Sequence, residues 1–181
     1  MPSEQLGHRA SLGLGGNIGD PVAAMRKALL ALDARTDCRV VAVSEVYRTP
    51  PWGKTDQAWF FNACALVDTS LSPEALLDAC LSVEREMKRE RIERWGPRTI
   101  DIDMLTYDDF HQSGGQLEIP HPRMTGRAFV LMPLADIAGD MVVEGRTVAS
   151  WLAQADVTGI EHVVERVGEG RPWWRAPTDP T

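Results

Sequence analysis

Cysteine is scarce in this sequence and badly placed for pairing. Cys38, Cys64 and Cys80 are an odd number with no close pair, which argues against a disulfide framework and against a cysteine-based zinc site. Cys64 and Cys80 lie in apolar surroundings and read as core filling. Long apolar runs are missing too: none approaches the roughly 20 residues that a membrane-crossing helix needs. Met1 to Arg9 lacks the basic start and apolar stretch of a signal peptide, so a cytoplasmic location is the expectation. Positive charge is in deficit, with 19 Lys and Arg against 26 Asp and Glu and a net charge of −7. That balance disfavours a general nucleic-acid binder, which is normally basic. Internal repeats and low-complexity blocks are absent.

What is present suits a water-soluble globular chain. Hydrophobic residues make up 44% and charged residues 25% of 181 positions, enough for one domain with a substantial core. The expected division is an extension over residues 1–9, a domain over 10–167 and a loosely ordered tail over 168–181, on which Trp173 and Trp174 are free to dock.

Ala10 to Gly15 reads as a strand ending in a glycine turn. Asp20 caps a helix that starts with Pro21, and Val22, Met25, Leu29 and Leu32 form its apolar face. Arg39 to Tyr47 reads as one valine-rich strand, Trp59 to Val67 as a third, and the short connection between them suggests an antiparallel pair. Thr49 to Lys54 must be a loop. Ser72 and Pro73 start a second helix, with Leu76, Cys80, Val83 and Met87 buried. Gly96-Pro97 precedes a fourth strand over Thr99 to Thr106, and Leu117 to Ile119 reads as a short strand before Pro120. Arg127 to Ile137 and Thr147 to Gln154 read as helices, and Ile160 to Arg166 as a strand-like return. Strands alternating with helices predict α+β, a single-domain ferredoxin-like sheet covered by helices with long active-site loops.

The stretch richest in chemistry runs from Arg94 to Asp103. On a strand, residues two apart share a face, so Asp101 and Asp103 project together while Ile100 and Ile102 face the core. Two carboxylates this close repel unless a cation lies between them. Magnesium suits the pair, because it takes oxygen ligands and shares them with substrate phosphates. Residues 84–98 carry six basic side chains against four acidic ones. Such a run is ordinarily a solvated helix face, but here it leads straight into the acidic pair, as a triphosphate site requires. Phe60 and Asn62 share a strand face, a ring to stack and an amide to exchange hydrogen bonds.

Five segments together resemble the pterin pyrophosphokinase family. They are Gly15-Gly16-Asn17, Tyr47-Arg48-Thr49-Pro50-Pro51-Trp52-Gly53, Phe61-Asn62-Ala63, Arg94-Trp95-Gly96-Pro97-Arg98-Thr99-Ile100-Asp101-Ile102-Asp103, and Ile119-Pro120-His121-Pro122-Arg123-Met124 with Arg127 and Phe129. They fall in family order over roughly residues 10–155.

The resemblance implies transfer of pyrophosphate from ATP to the hydroxymethyl group of 6-hydroxymethyl-7,8-dihydropterin in folate biosynthesis, releasing AMP. It implies two magnesium ions held by Asp101 and Asp103, and phosphate contacts from Arg89 and Arg98. Glu84, Arg91, Arg94, Met104, His121 and Arg127 fall at nucleotide-site positions. Thr49, Pro50, Pro51, Trp52, Phe60, Asn62, Trp95 and Phe129 would form the pterin slot, with loops over Thr49 to Gln57 and Met87 to Trp95 as lids. A monomer is implied, with small-molecule substrates and neither nucleic acid nor membrane as partner. Lys88, Gly16 and Leu81 depart from the family pattern. Competing readings are a non-catalytic nucleotide-binding module, an RNA-binding sheet and a γ-phosphoryl transferase.

Overall fold

The computed structural model describes residues 6–50, 58–93, 100–163 and 172–175, with 89–93 as helix backbone alone. In chain order the elements are β1 (His8–Gly16), α1 (Pro21–Asp33), β2 (Cys38–Val43), β3 (Val46–Thr49), β4 (Phe60–Thr69), α2 (Pro73–Glu93) and β5 (Asp101–Tyr107). There follow a short 3-10 turn (Met124–Gly126), α3 (Ala128–Ala138), β6 (Val142–Val143), β7 (Arg146–Thr147), α4 (Val148–Gln154), β8 (Glu161–Val163) and a last 3-10 turn (Trp173–Arg175).

The helix starts follow from sequence. The Asp20 carboxylate accepts the Ala23 N–H at 3.1 Å ahead of Pro21, and the Ser72 hydroxyl accepts the Ala75 N–H at 3.2 Å ahead of Pro73. Thr147 does the same for α4 through the Ser150 N–H. β6 and β7 form a hairpin through Glu144 and Gly145, both at positive φ (50° and 79°). That is the pairing a two-residue turn needs to follow the strand twist.

The main sheet runs β5-β1-β4-β3-β8, with β2 also pairing β4, and the pairings among the described residues are antiparallel. Helices cover both faces. Leu12 and Leu14 of β1, Ala63, Ala65 and Val67 of β4, and Ile102 and Met104 of β5 pack with α1 and α2 residues such as Met25, Leu29, Leu76 and Val83. On the opposite face Cys64 and Leu105 pack with Leu131 and Leu134 of α3 and Val148 of α4. The chain is therefore α+β with a mostly antiparallel sheet.

Three local expectations change, and the tail docks through the two tryptophans that were free to do so. The single strand expected over Arg39 to Tyr47 is two, because Ser44 interrupts it: its N–H donates to the Cys64 carbonyl and its hydroxyl accepts the Cys64 N–H, each at 2.8 Å. The side chain thus replaces a ladder partner at the break. Helix α2 continues to Glu93, so residues 87–93 are helical, not loop. Leu117 to Ile119 makes only an isolated bridge, Gln112 to Ile119. The tail is tied down at Trp173–Arg175: Trp174 is 4% exposed, the Trp173 indole N–H donates to the Ser44 carbonyl at 2.8 Å, and the Arg26 guanidinium donates to the Trp173 carbonyl at 3.0 Å. All three cysteines are free and buried, in keeping with core filling.

Candidate active site

Register decides what the sheet presents to α3. Because side chains alternate, β1 sends Leu12 and Leu14 to the α1–α2 side and leaves Gly13 and Gly15 facing α3. Gly15 pairs with Asn62 on β4 and with Asp101 on β5, and Asn62 pairs in turn with Tyr47 on β3. One row across four strands therefore reads Tyr47, Asn62, Gly15, Asp101. The next row reads Cys64, Gly13, Asp103. Two glycines leave a lane without side chains between the amide and the carboxylates.

A cavity of about 470 Å³ opens over this lane. Its floor holds Gly13, Gly15, Asn62, Cys64, Asp101 and Asp103. Thr49 and Phe60 wall one side, and Arg127, Phe129 and Val130, at the start of α3, wall the other. Phe60 is 37% exposed, unusual for a phenylalanine on a strand and consistent with a ring held ready to stack. Arg127 lies over the Phe129 ring, 5.6 Å from its centroid.

A second cavity, about 280 Å³, lies along the free edge of β5 and is lined by Leu77, Ile102, Met104, Gln116, Leu117 and His121 among others. Asp103 lines both cavities. Backbone at this edge would lack a neighbour. Instead, Glu84 of α2 accepts the Ile102 N–H at 2.6 Å, between the two aspartates, and the His121 N–H donates to the Leu105 carbonyl at 2.8 Å. Burial raises the Glu84 carboxyl above its ordinary range, and the negative charges of Asp101 and Asp103 push the same way against the Ile102 hydrogen bond. Burial lowers His121, with Asp103 opposing. Its Nδ1 accepts the Arg123 N–H at 3.2 Å, so the neutral ring carries its proton on Nε2.

The expected residues divide accordingly. Asp101, Asp103, Thr49, Phe60, Asn62, Phe129 and Arg127 line the larger cavity; Met104 and His121 line the smaller one, and Glu84 braces the strand between them. Arg127 thus lines the aromatic cavity, yet it is near enough to His121 for its charge to add to the lowering that burial causes there. Pro50 is not among the lining residues: its ring lies against Gly159, where a Cβ would meet it at 3.3 Å. Pro51, Trp52, Arg94, Trp95 and Arg98, and the side chains of Arg89 and Arg91, lie outside the described residues. Sequence reasoning missed Gly13, Cys64 and Val130 on the larger cavity and Leu77 and Gln116 on the smaller. Alternation along β1 and β4 was the signal that could have found Gly13 and Cys64.

The acidic pair suits magnesium. Among the described residues no group of three or more His, Cys, Asp or Glu side chains comes together to hold a metal by protein ligands alone. Both aspartates are exposed into open space beside glycine. An ion that keeps waters and takes its remaining oxygens from substrate phosphates fits such a pair.

Residues 11–139 match the family model of 7,8-dihydro-6-hydroxymethylpterin-pyrophosphokinase. The chain belongs to that family. It is therefore a pyrophosphokinase of folate biosynthesis that acts on hydroxymethyldihydropterin. It is 53% identical over 155 residues to the 2-amino-4-hydroxy-6-hydroxymethyldihydropteridine pyrophosphokinase of Methylorubrum extorquens, covering 86% of this chain and 98% of that one. The enzyme of the same name from Pseudomonas aeruginosa is 41% identical, over 86% of this chain and 96% of that one. A Plasmodium falciparum HPPK-DHPS triple mutant crystallised with pteroate shares the fold, with a TM-score of 0.63 at 16% identity. The likeness covers 81% of this chain and 43% of that longer one.

Proposed function

We propose that the chain moves the pyrophosphoryl group of ATP onto the hydroxymethyl oxygen of 6-hydroxymethyl-7,8-dihydropterin by attack at the β-phosphorus. The observation that carries this reading is Asp103, which faces both cavities. The larger cavity, with Phe60, Phe129 and Asn62, suits a flat heterocycle with a polar edge. The smaller, with Leu77, Met104 and His121, suits the nucleotide. The transferred group would then sit where the two meet.

In the step itself the hydroxymethyl oxygen forms a bond to the β-phosphorus. The bond from that phosphorus to the oxygen it shares with the α-phosphorus breaks, AMP leaves with the electron pair, and the hydroxyl proton passes to solvent. Asn62 holds the pterin edge, Phe60 and Phe129 its faces, and Thr49 closes the slot. Arg127 adds positive charge over the larger cavity, and the His121 Nε2–H donates into the smaller. Asp101 and Asp103 would hold two magnesium ions, which when bound neutralise the phosphate oxygens. Arg89 and Arg98 are proposed for the phosphates, Arg91 and Arg94 for the nucleotide, and Pro50, Pro51, Trp52 and Trp95 for the pterin side.

The strand order β5-β1-β4-β3, with helices after β1 and β4, supports the ferredoxin-like description. No helix among the described residues is long and apolar enough to cross a membrane. On the same proposal the chain is a cytoplasmic monomer whose working unit is residues 10–167, between an extension over 1–9 and a tail over 168–181.

The test is product analysis with magnesium, ATP and 6-hydroxymethyl-7,8-dihydropterin. AMP formed in step with pterin pyrophosphate is expected. ADP would mean attack at the γ-phosphorus and would overturn the mechanism.

A further inference from the structure

The row Tyr47, Asn62, Gly15, Asp101 contains one residue that the reaction has not used. Tyr47 faces α3, next to Asn62 across the β3–β4 ladder. Its hydroxyl donates to the Asp136 carboxylate of α3, at 3.0 and 2.9 Å from the two oxygens. The Glu45 N–H donates to the same carboxylate at 3.3 Å. Two turns before Asp136, the same helix carries Phe129 and Val130 into the cavity. Two residues after Tyr47, β3 ends at Thr49, also in the cavity and 7% exposed.

We propose that Tyr47 and Asp136 are positioning residues that set the width and alignment of the pterin slot by tying the strand wall to the α3 wall. The inference rests on the larger cavity being the pterin slot. The strand wall holds Thr49, Phe60 and Asn62; the helix wall holds Phe129 and Val130. The only other hydrogen bond described between these walls is the weak Cys64 thiol contact to the Val130 carbonyl, at 3.6 Å. A carboxylate accepting a phenolic hydrogen and a backbone N–H is far stiffer than a thiol contact.

The chemistry of the pair keeps the tie closed at working pH. Burial, the hydrogen bond to Asp136 and that carboxylate's charge all push the phenol above its ordinary range, so Tyr47 remains a donor. The ring also packs against His162, with centroids 5.4 Å apart, and His162 pairs with Glu45. Removing the hydroxyl alone should therefore leave the ring seated and loosen the helix wall, leaving the longer Glu45 N–H bond on Asp136.

Tyr47→Phe and Asp136→Ala isolate the effect. Tyr47→Phe, which removes one charge-assisted hydrogen bond, is expected to raise the pterin KM about five- to tenfold, and Asp136→Ala, which also removes the Glu45 N–H bond, at least as much. The ATP KM and kcat should stay within about twofold. The double variant should be no worse than Asp136→Ala alone, since that change already removes the Tyr47 bond along with the Glu45 N–H bond. Asp136→Asn, which keeps an acceptor for the phenol, should recover part of the loss. Equal rises in both KM values, a fall confined to kcat, or additive effects in the double variant would overturn the proposal. An inactive wild-type chain would instead defeat the assignment of the slot, and the two failures are separable because the wild type is assayed alongside.

Discussion

Gly15→Ala tests the side-chain-free lane directly. Gly15 lies in ordinary strand conformation, outside the positive-φ residues, so alanine brings no backbone strain. The conflict is local: a Cβ there would stand 2.9 Å from Asn62 Oδ1 and 3.7 Å from the Phe61 carbonyl. The first distance is shorter than carbon and oxygen tolerate, yet the atom it meets ends a rotatable side chain. Asn62 can swing aside, so the fold should survive. Replacing glycine in a strand even stabilises by about 0.5–1 kcal/mol where the conformation permits, which offsets part of the crowding. The cost should appear in recognition. Turning the Asn62 amide away removes about one or two hydrogen bonds to the pterin edge, roughly 1 kcal/mol each, and leaves polar groups of the ligand unpaired for about as much again. The sum, about 2–4 kcal/mol, corresponds to a loss of roughly 30- to 800-fold in pterin affinity. Titration of the pterin against the variant measures this, with ATP-analogue binding and thermal unfolding as controls. Gly13→Ala is the internal comparison: the nearest atoms its Cβ would meet are those of Leu105, at an ordinary 3.5 Å, and it should cost less affinity. Wild-type pterin affinity in Gly15→Ala, or equal losses in both variants, would refute the reasoning.

Glu84 gives a pH prediction. Its carboxyl is raised in the folded chain, mainly by burial, so the folded state holds the proton more tightly than the unfolded one. A raised folded value means that stability is fully present below the unfolded value and declines as pH rises through the folded one. Glu84→Gln should therefore unfold at a higher temperature than wild type near pH 8 without metal, an advantage that vanishes near pH 4. An advantage that grows toward acid would contradict the assigned cause. Trp174→Ala tests the docked tail: at 4% exposure among core residues, its loss should cost about 3 kcal/mol. Urea unfolding reads this, and a change below about 1 kcal/mol would mean that the tail contributes little packing energy.

Most of the fold was legible because its signals are local. Asp20-Pro21 and Ser72-Pro73 start helices, and apolar spacing predicts their buried faces. The strand break at Ser44 was not legible, since the residue that replaces the ladder bond there could pair only after β4 was in place. Where Trp173 would dock was hidden for the same reason: its acceptor, the Ser44 carbonyl, is left open to it at that break. The acidic pair could be read from spacing alone. That Arg127 would line the cavity with Phe129 could not, because that placement depends on how the turn at Met124–Gly126 sets the start of α3 against the sheet.

The location of the acidic pair also has a topological reason. In a central strand both edges are occupied by hydrogen-bonded neighbours, so a side chain there meets only what lies above its own face. Among the described residues β5 is an edge strand, paired to β1 alone. Asp103 can therefore face the cavity over the sheet and the cavity beside it at once. An open edge ordinarily leaves backbone groups unpaired and invites another strand. Here Glu84 and His121 take up the Ile102 N–H and the Leu105 carbonyl. Their side chains and backbone close the ladder without covering the carboxylates. Moving the Asp-x-Asp pair one strand inward, onto β1, would keep the carboxylates and lose the meeting point, since the second cavity lies only along the free edge.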